Sequence, residues 1–470
     1  MTTPIARPSS LGSPEKKVAA LDDLRAAELF NRIPRNPPSK SLLYLALKLV
    51  LSLGTLTVLI IGYALAIQVI TIGSVTSIGC YGLAIVVDYL VQLSGAFANR
   101  HDVNRIVARR QAENQRQRTA TLSELAERGE VVDEAAVDTL LCPDGSVSVA
   151  VVGYREDVKA WRDCLCSLQK QTLKPRVIIA VVDGNQEPDQ EMANAFLEEF
   201  AGRRARLIDL PSLLSAQHRR DYNEALVEEA ARRGAQASST RRSAKIWRWL
   251  KGKYTPEQEE ARRIAFAAAI KQIQDWKVEF DISDDLEAVC FTQPHGHKRT
   301  AMFTAFMMCL YALETREGIF TTDSDTLVKS DALDELLCLL RSEENLGGVT
   351  GEVKIWNAST SWLTRMCMVR YWMAFNVERG CQSIWRCVSC LSGPMALYRA
   401  CDLNDVLGRW NVQSFGGVET TFGDDRHMTN QILATGRHTR HTHRTWCDSE
   451  SPENFVVSVM AATEMRFCIY

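Results

Sequence analysis

Asp144-Gly145-Ser146-Val147-Ser148-Val149-Ala150-Val151-Val152 is the stretch that decides the fold. Asp-Gly is a turn dipeptide, and it leads into Val147–Val152, a nearly unbroken apolar run without polar alternation. A strand of that kind is buried on both faces, as in a parallel sheet covered by helices. Helical spacing follows over Val158–Gln169. Arg176–Val182 is a second apolar strand, closing in Asp183-Gly184-Asn185, and Gln190–Phe200 is helical again. Further strand-like runs are Arg206–Leu210, Gly318–Thr322, Val349–Trp356 and Pro394–Tyr398. Buried strands alternating with helices predict an α/β domain with a mostly parallel sheet over residues 144–455. Ligands of such sheets gather at the carboxyl ends of the strands. Tyr154-Arg155-Glu156, Asp183 and the pair Asp323 and Asp325 all fall at such ends.

Two acidic clusters carry the chemistry. Asp323-Ser324-Asp325 follows the apolar Gly318-Ile319-Phe320. Residues i and i+2 of a strand point the same way, so both carboxylates are expected to meet one divalent cation, which in turn holds a diphosphate. Gly423-Asp424-Asp425-Arg426-His427 opens a helical pattern, Arg426 to Thr435, that Gly436 stops. This leaves a carboxylate poised at a helix start. A metal-held diphosphate leaving group and a separate carboxylate base together equip a nucleotide-sugar transferase.

Composition narrows the setting. A net charge of −2 over 470 residues offers no basic surplus, so nucleic acid is not an expected partner. Fourteen cysteines are scattered without small-domain spacing, which favours a reducing compartment over a disulfide framework. Cys381, Cys387 and Cys390 lack a closing Cys/His pair, and His438, His441 and His443 sit in a strand-like run, so neither group is read as a metal site. Residues 1–40 read as a disordered polar leader. Residues 41–98 predict a hairpin of two transmembrane helices, Leu43–Ile67 and Ser74–Phe97. Arg32, Arg35 and Lys40 precede it and six arginines from Arg100 to Arg118 follow, which would keep both outer ends cytosolic. Residues 99–143 form a basic, then acidic, cytosolic connector. Residues 212–277 read as a helical insertion on the cleft rim, and 456–470 as an apolar tail.

One long run is family-specific. Val369-Arg370-Tyr371-Trp372-Met373-Ala374-Phe375-Asn376-Val377-Glu378-Arg379 leads into Cys387-Val388-Ser389-Cys390-Leu391-Ser392-Gly393-Pro394, and Thr421-Phe422-Gly423-Asp424-Asp425-Arg426-His427-Met428-Thr429-Asn430 follows. These residues resemble hyaluronan synthases, membrane-embedded processive family 2 glycosyltransferases with a GT-A catalytic domain. The resemblance implies that Tyr154, Glu156 and Asp183 contact uridine, and that Lys298 and Arg299 meet the diphosphate at a helix start. It implies that Asp323 and Asp325 hold Mg or Mn. Asp425 becomes the general base, with Asp424 as the alternative, and Cys390, Ser392, Gly393 and Pro394 lie beside the acceptor sugar, with Trp372 as a candidate stacking aromatic. The expected protein is a multi-pass plasma-membrane enzyme whose catalytic domain is cytosolic. It would build a hyaluronan-like polysaccharide, with inversion, from UDP-N-acetylglucosamine and UDP-glucuronate.

The expected partners are UDP-sugars, the growing polysaccharide and the lipid bilayer, with a homo- or hetero-oligomer left open. The chain departs from the family in lacking a Gln-x-x-Arg-Trp motif and later membrane spans, so a truncated chain is expected. Two alternatives stand beside the main reading. One is a chitin-type polymerase using UDP-N-acetylglucosamine alone; the other is an inactive UDP-sugar-binding partner of a complete synthase.

Overall fold

Val149 and Val151 face one side of the sheet and Ala150 and Val152 the other, and all four are buried. This two-sided burial is what the apolar run Val147–Val152 requires. The computed structural model describes residues 80–127, 147–234, 255–415, 418–420 and 423–451, with isolated positions between 46 and 61. The predicted leader 1–40, the tail 456–470 and most of the first predicted membrane span lie outside the described residues.

In chain order the strands are β1 (Val147–Gly153), β2 (Ile178–Val182), β3 (Ala205–Asp209), β4 (Ala288–Thr292), β5 (Gly318–Asp323), β6 (Leu327–Val328), β7 (Leu346–Ile355), β8 (Ala396–Arg399), β9 (Ser414–Phe415), β10 (Val418–Glu419) and β11 (His438–Ser449). Nine of them form one sheet in the order β3-β4-β2-β1-β5-β8-β7-β11-β6, while β9 and β10 form a separate ribbon. The five strands β3, β4, β2, β1 and β5 are parallel. β8 is antiparallel to both of its neighbours, β5 and β7. The short apolar run Ala288–Thr292, which the sequence reading passed over, is the strand between β2 and β3.

The helices are α1 (Cys80–Glu127), α2 (Val158–Gln169), α3 (Gln190–Glu199), α4 (Leu214–Gly234), α5 (Pro256–Glu279), α6 (Lys298–Met307), α7 (Ala332–Arg341), α8 (Trp362–Met373), α9 (Gly380–Ile384), α10 (Ala400–Asn411) and α11 (Asp424–Ala434). Local chemistry starts them where the sequence suggests. Asp157 accepts from the Lys159 and Ala160 amides to cap α2, and Thr255 with Gln258 forms a reciprocal cap ahead of Pro256 on α5. One face of the sheet buries Trp161, Phe196, Phe320 and Leu336; the other buries Phe291, Phe303, Phe306 and Trp410. Each such side chain contributes roughly 1.5–3 kcal/mol of burial.

The described parts of the predicted insertion, 212–234 and 255–277, join that second core, and its residues 235–254 lie outside the described residues. Leu214 on α4 and Ala269, Ile273 and Trp276 on α5 are buried in it. Ser215 and His218 of α4 bond Asn411 at the end of α10, at 2.6 and 2.9 Å.

The membrane location needs correcting. Residues 80–97 of the second predicted span are the first turns of α1, which runs on without a break through the arginine-rich segment to Glu127. Among the described residues, no helix is long and apolar enough to cross a membrane. The reading of a multi-pass plasma-membrane protein is therefore set aside. Asp88, which falls within the second predicted span, accepts a 2.7 Å hydrogen bond from Gln92 one turn on. Acidic and amide side chains of α1 instead bond the α/β domain: Arg440 Nη2 of β11 reaches Asp102 at 2.7 Å and Asn99 at 3.3 Å.

Candidate active site

Strand order reverses at β1, with β2 on one side of it and β5 on the other. A crevice at the carboxyl end of such a switch point is the natural ligand site of an open α/β sheet. Val152 of β1 is in register with Asp323 of β5, so Glu156 and the Asp323-Ser324-Asp325 segment leave the sheet side by side. β5 ends at Asp323, and the Thr326 amide bonds the Asp323 carbonyl at 3.3 Å. A turn, rather than the strand alternation expected from sequence, therefore carries Asp325.

The carboxylates crowd one another. Burial raises the Asp325 pKa above the ordinary carboxylate value, and the Asp323 charge adds to the shift. Burial, then the charge of Asp325, raises Glu156 as well, while a hydrogen bond from Ser324 opposes it. Lys298, the first residue of α6, places Nζ 2.6 Å from Asp323 Oδ1. Desolvation works against its charge, but Asp323, Asp425 and Asp424 hold its pKa above the usual lysine value.

Asp323, Asp325 and Glu156 share, among the described residues, the charge of Lys298, which leaves this end of the site short of positive charge. Among the described residues no group of three or more His, Cys, Asp or Glu is arranged to hold a metal. Two carboxylates completed by diphosphate oxygens and water suit Mg²⁺ in particular.

The second cluster sits at the start of α11. Gly423 caps it at φ +67°, a left-handed conformation that costs other residues more. The two aspartates that follow have different partners. Asp424 is buried against the buried guanidinium of Arg299, which also bonds Gln413 at 2.9 Å and lies over the Trp410 ring. Arg299, expected at the diphosphate, is thus engaged by Asp424, and Asp424 is neutralised.

Among the described residues, Asp425 has no such cation in contact. Its Oδ2 accepts the Gly393 amide at 2.8 Å. Burial, reinforced by Asp323 and Asp424 and opposed by Lys298, pushes its pKa up to about 6. Thr429 fixes this geometry, accepting the Leu391 amide at 2.9 Å and donating to the Asp425 carbonyl at 2.7 Å. A Cβ at position 393 would lie 2.8 Å from Asp425 Oδ2, which explains the glycine. A small cavity of about 10 Å³ is lined by Lys298, Asp323 and Gly393 together with apolar residues such as Val152, Met302 and Phe306.

The residues expected on the acceptor side lie in different settings. Ser392 is buried and bonds Thr350 through its amide at 3.3 Å, and Pro394 sets the short turn Gly393–Met395. The Cys390 thiol is raised by burial and by the Asp425 charge. Trp372 is half exposed on α8. The aromatic of that helix that senses Asp323 is its neighbour Tyr371, whose hydroxyl pKa is raised by burial and then by Asp323.

On the other flank, Asp183 is buried at the end of β2, its carboxylate accepts three hydrogen bonds and its main-chain carbonyl meets His295 Nδ1 at 3.0 Å. Oδ1 accepts from Gln293 Nε2 at 2.9 Å and the Gly296 amide at 3.0 Å. Oδ2 accepts the His297 amide at 2.8 Å and lies 2.9 Å from His295 Nδ1. Tyr154 stacks on the His295 ring with centroids 4.2 Å apart. The sequence reading missed this 293–297 loop because it missed β4, which delivers it.

The fold and these residues define a glycosyltransferase-type site, and the comparisons carry it further. The chitin synthase family model matches residues 286–413. Human hyaluronan synthase 3 is 32% identical over 313 residues, covering 66% of this chain and 48% of the relative. Chicken hyaluronan synthase 2 is 31% identical over 323 residues, covering 68% and 49%. The chain spans about half the length of the curated relatives it matches. Among solved structures, the mannosyltransferase PcManGT from Pyrobaculum calidifontis, in complex with GDP-Man and Mn²⁺, covers 80% of this chain and 73% of its own at 13% identity. Its TM-score of 0.37 is too low to bear on the reading. The chain belongs to the hyaluronan synthase-like family 2 glycosyltransferases.

Proposed function

We propose that the chain is a UDP-sugar-dependent hexosyltransferase whose α/β domain is of GT-A type and extends a hyaluronan-like polysaccharide. The observation that carries this reading is the meeting of Glu156, Asp323, Asp325, Lys298 and Asp425 at one switch point of a chain related to hyaluronan synthases. Uridine lies along Tyr154 and Asp183, and the Lys298 ammonium faces the diphosphate. A divalent cation held by Asp323 and Asp325 would neutralise the charge that develops on the departing UDP.

Asp425 removes the proton from an acceptor hydroxyl as that oxygen attacks the anomeric carbon. The anomeric carbon–oxygen bond to UDP breaks on the opposite side, so configuration inverts. A carboxylate with a pKa near 6 is better matched to a proton transfer near neutral pH than an ordinary aspartate. Gly393 and the Thr429 bonds hold Asp425 in place, and Ser392, Cys390 and Pro394 shape the acceptor side. Asp424 serves as the buried partner of Arg299 rather than as a second base.

The chitin synthase match over residues 286–413 favours a second reading, a polymerase using UDP-N-acetylglucosamine alone. Supplying the purified chain with Mg²⁺ and labelled UDP-N-acetylglucosamine, with and without UDP-glucuronate, separates the two. Hyaluronidase-sensitive product that needs both donors supports the first. Product from one donor alone supports the second. UDP binding without any transfer would leave the chain as a sugar-nucleotide-binding partner and overturn both.

A further inference from the structure

The four donors around Asp183 raise a problem of occupancy. A carboxylate offers about four lone-pair positions; Gln293, Gly296 and His297 bond three of them, while His295 Nδ1 bonds the Asp183 main-chain carbonyl at 3.0 Å and stands 2.9 Å from Oδ2. A nucleobase cannot reach the remaining position, or the Tyr154 ring, while the His295 ring stands there. Two of the four are backbone amides, and Gln293 is buried and tied to Thr304 at 2.8 Å. His295 alone is a half-exposed side chain. It is also the ring stacked on Tyr154, at 4.2 Å and an interplanar angle of 24°.

A planar heterocycle that stacks on Tyr154 and directs a ring nitrogen at Asp183 does what a uracil ring would do there, since uracil carries an imide N–H and a flat face. We propose that His295 is a displaceable stand-in for the nucleobase, and that the uridine of a nucleoside diphosphate takes its place on Tyr154 and Asp183. This rests on the reading of Tyr154 and Asp183 as the uridine subsite.

The backbone beside His295 is suited to such an exchange. His297 is held at φ +83° and ψ 159°, a conformation that residues other than glycine rarely adopt. The amide bond from His297 to Asp183 Oδ2, at 2.8 Å, helps maintain it. The loop is therefore poised and strained rather than relaxed. His295 turning outward exchanges one donor on Asp183 for another and leaves the two amide bonds intact. The ring keeps the subsite covered when no nucleotide is present, and its displacement lowers apparent affinity by the fraction of time the ring is in place. A base without a ring N–H at the matching position, such as cytosine, cannot replace the lost bond.

The test is a calorimetric titration of the full chain with UDP and with CDP, in the presence of Mg²⁺, for wild type, His295→Ala and Tyr154→Ala. Removing the stand-in is expected to tighten UDP binding about 3- to 10-fold, while Tyr154→Ala weakens it. His295→Phe keeps a stacking ring but cannot bond Asp183, so its UDP affinity is expected to fall between wild type and His295→Ala. It also serves if the alanine variant folds poorly. The His295 ring-proton signals, shifted upfield by Tyr154 in the free chain, should move downfield as UDP saturates the site.

Unchanged or weaker UDP binding in both His295 variants, or His295 signals that stay put at saturation, overturns the proposal. If neither wild type nor either His295 variant binds UDP, while all remain folded, the uridine subsite reading falls and the stand-in with it. UDP binding by wild type with no gain in the variants removes only the stand-in.

Discussion

The two acidic ends of this site are built on opposite terms. At the end of β5, Asp323 and Asp325 stand with Glu156 around a single ammonium, and their negative charge exceeds what the protein supplies in return. At the start of α11, Asp424 is matched by Arg299, whereas Asp425 has no contacting cation among the described residues. The first region is set to receive a ligand's positive charge. The second neutralises one carboxylate in order to leave its neighbour basic. Adjacent residues of identical type can therefore carry unrelated roles, and the environment assigns them.

The sharpest way to break that contrast is to exchange the two aspartates. Asp425→Asn should lower kcat for sugar transfer by about 10²–10⁴-fold, the range a general base contributes, while UDP affinity measured by calorimetry stays near wild type. Retained transfer would remove Asp425 as the base. Asp424→Asn should act on stability. Removing one member of a buried ion pair costs about 3–5 kcal/mol, here by leaving the Arg299 guanidinium uncompensated, and urea unfolding reads that loss. Equal stability of the two variants would mean that the difference between the aspartates is not one of pairing.

Gly393→Ala probes the geometry without touching a charge. The added methyl would lie 2.8 Å from Asp425 Oδ2 and must displace the carboxylate. A misplacement of about 1 Å can cost on the order of 10²-fold in rate, so kcat should drop with little change in UDP binding. Asp325→Asn belongs to the other region. It should abolish the enhancement of UDP binding by Mg²⁺, seen as coincident affinities with and without the cation, and an enhancement that survives would take Asp325 out of the metal site.

The smallest effect is the pH profile. Asp425 must be deprotonated to act, so kcat/KM should rise with pH up to about 6 and level above it. The sign for stability is the reverse. Its pKa is raised in the folded chain, so folding gains from its protonation, and its contribution weakens as pH climbs from the ordinary carboxylate range through about 6. Asp425→Asn, in which an amide oxygen still accepts the Gly393 amide, should therefore unfold no lower than wild type at pH 7. A lower melting temperature there would mean that the charged form is the favoured one.

Much of this was legible in the chain. The two-sided apolar runs Val147–Val152 and Ile178–Val182 announced parallel strands because burial on both faces forbids polar alternation. The bounds of α2 were readable from helical spacing, and Asp157 stands at its start as the cap. β4 escaped because Ala288–Thr292 is only five residues long and follows a polar stretch, and with it went the loop that covers Asp183. The membrane hairpin was inferred from hydropathy alone. The arginine-rich continuation belongs to the same helix, and no sequence window reports that continuity.

By itself, then, the sequence determined the α/β class, the strand ends at which Glu156, Asp183 and Asp323 emerge, and the presence of two acidic clusters. These follow from local periodicity and residue chemistry. Only the tertiary structure shows that Asp424 pairs with Arg299 while Asp425 accepts the Gly393 amide. That difference rests on Arg299, 125 residues away along the chain, and on burial. Both are through-space quantities, set by a field that sums over neighbours the linear order does not adjoin.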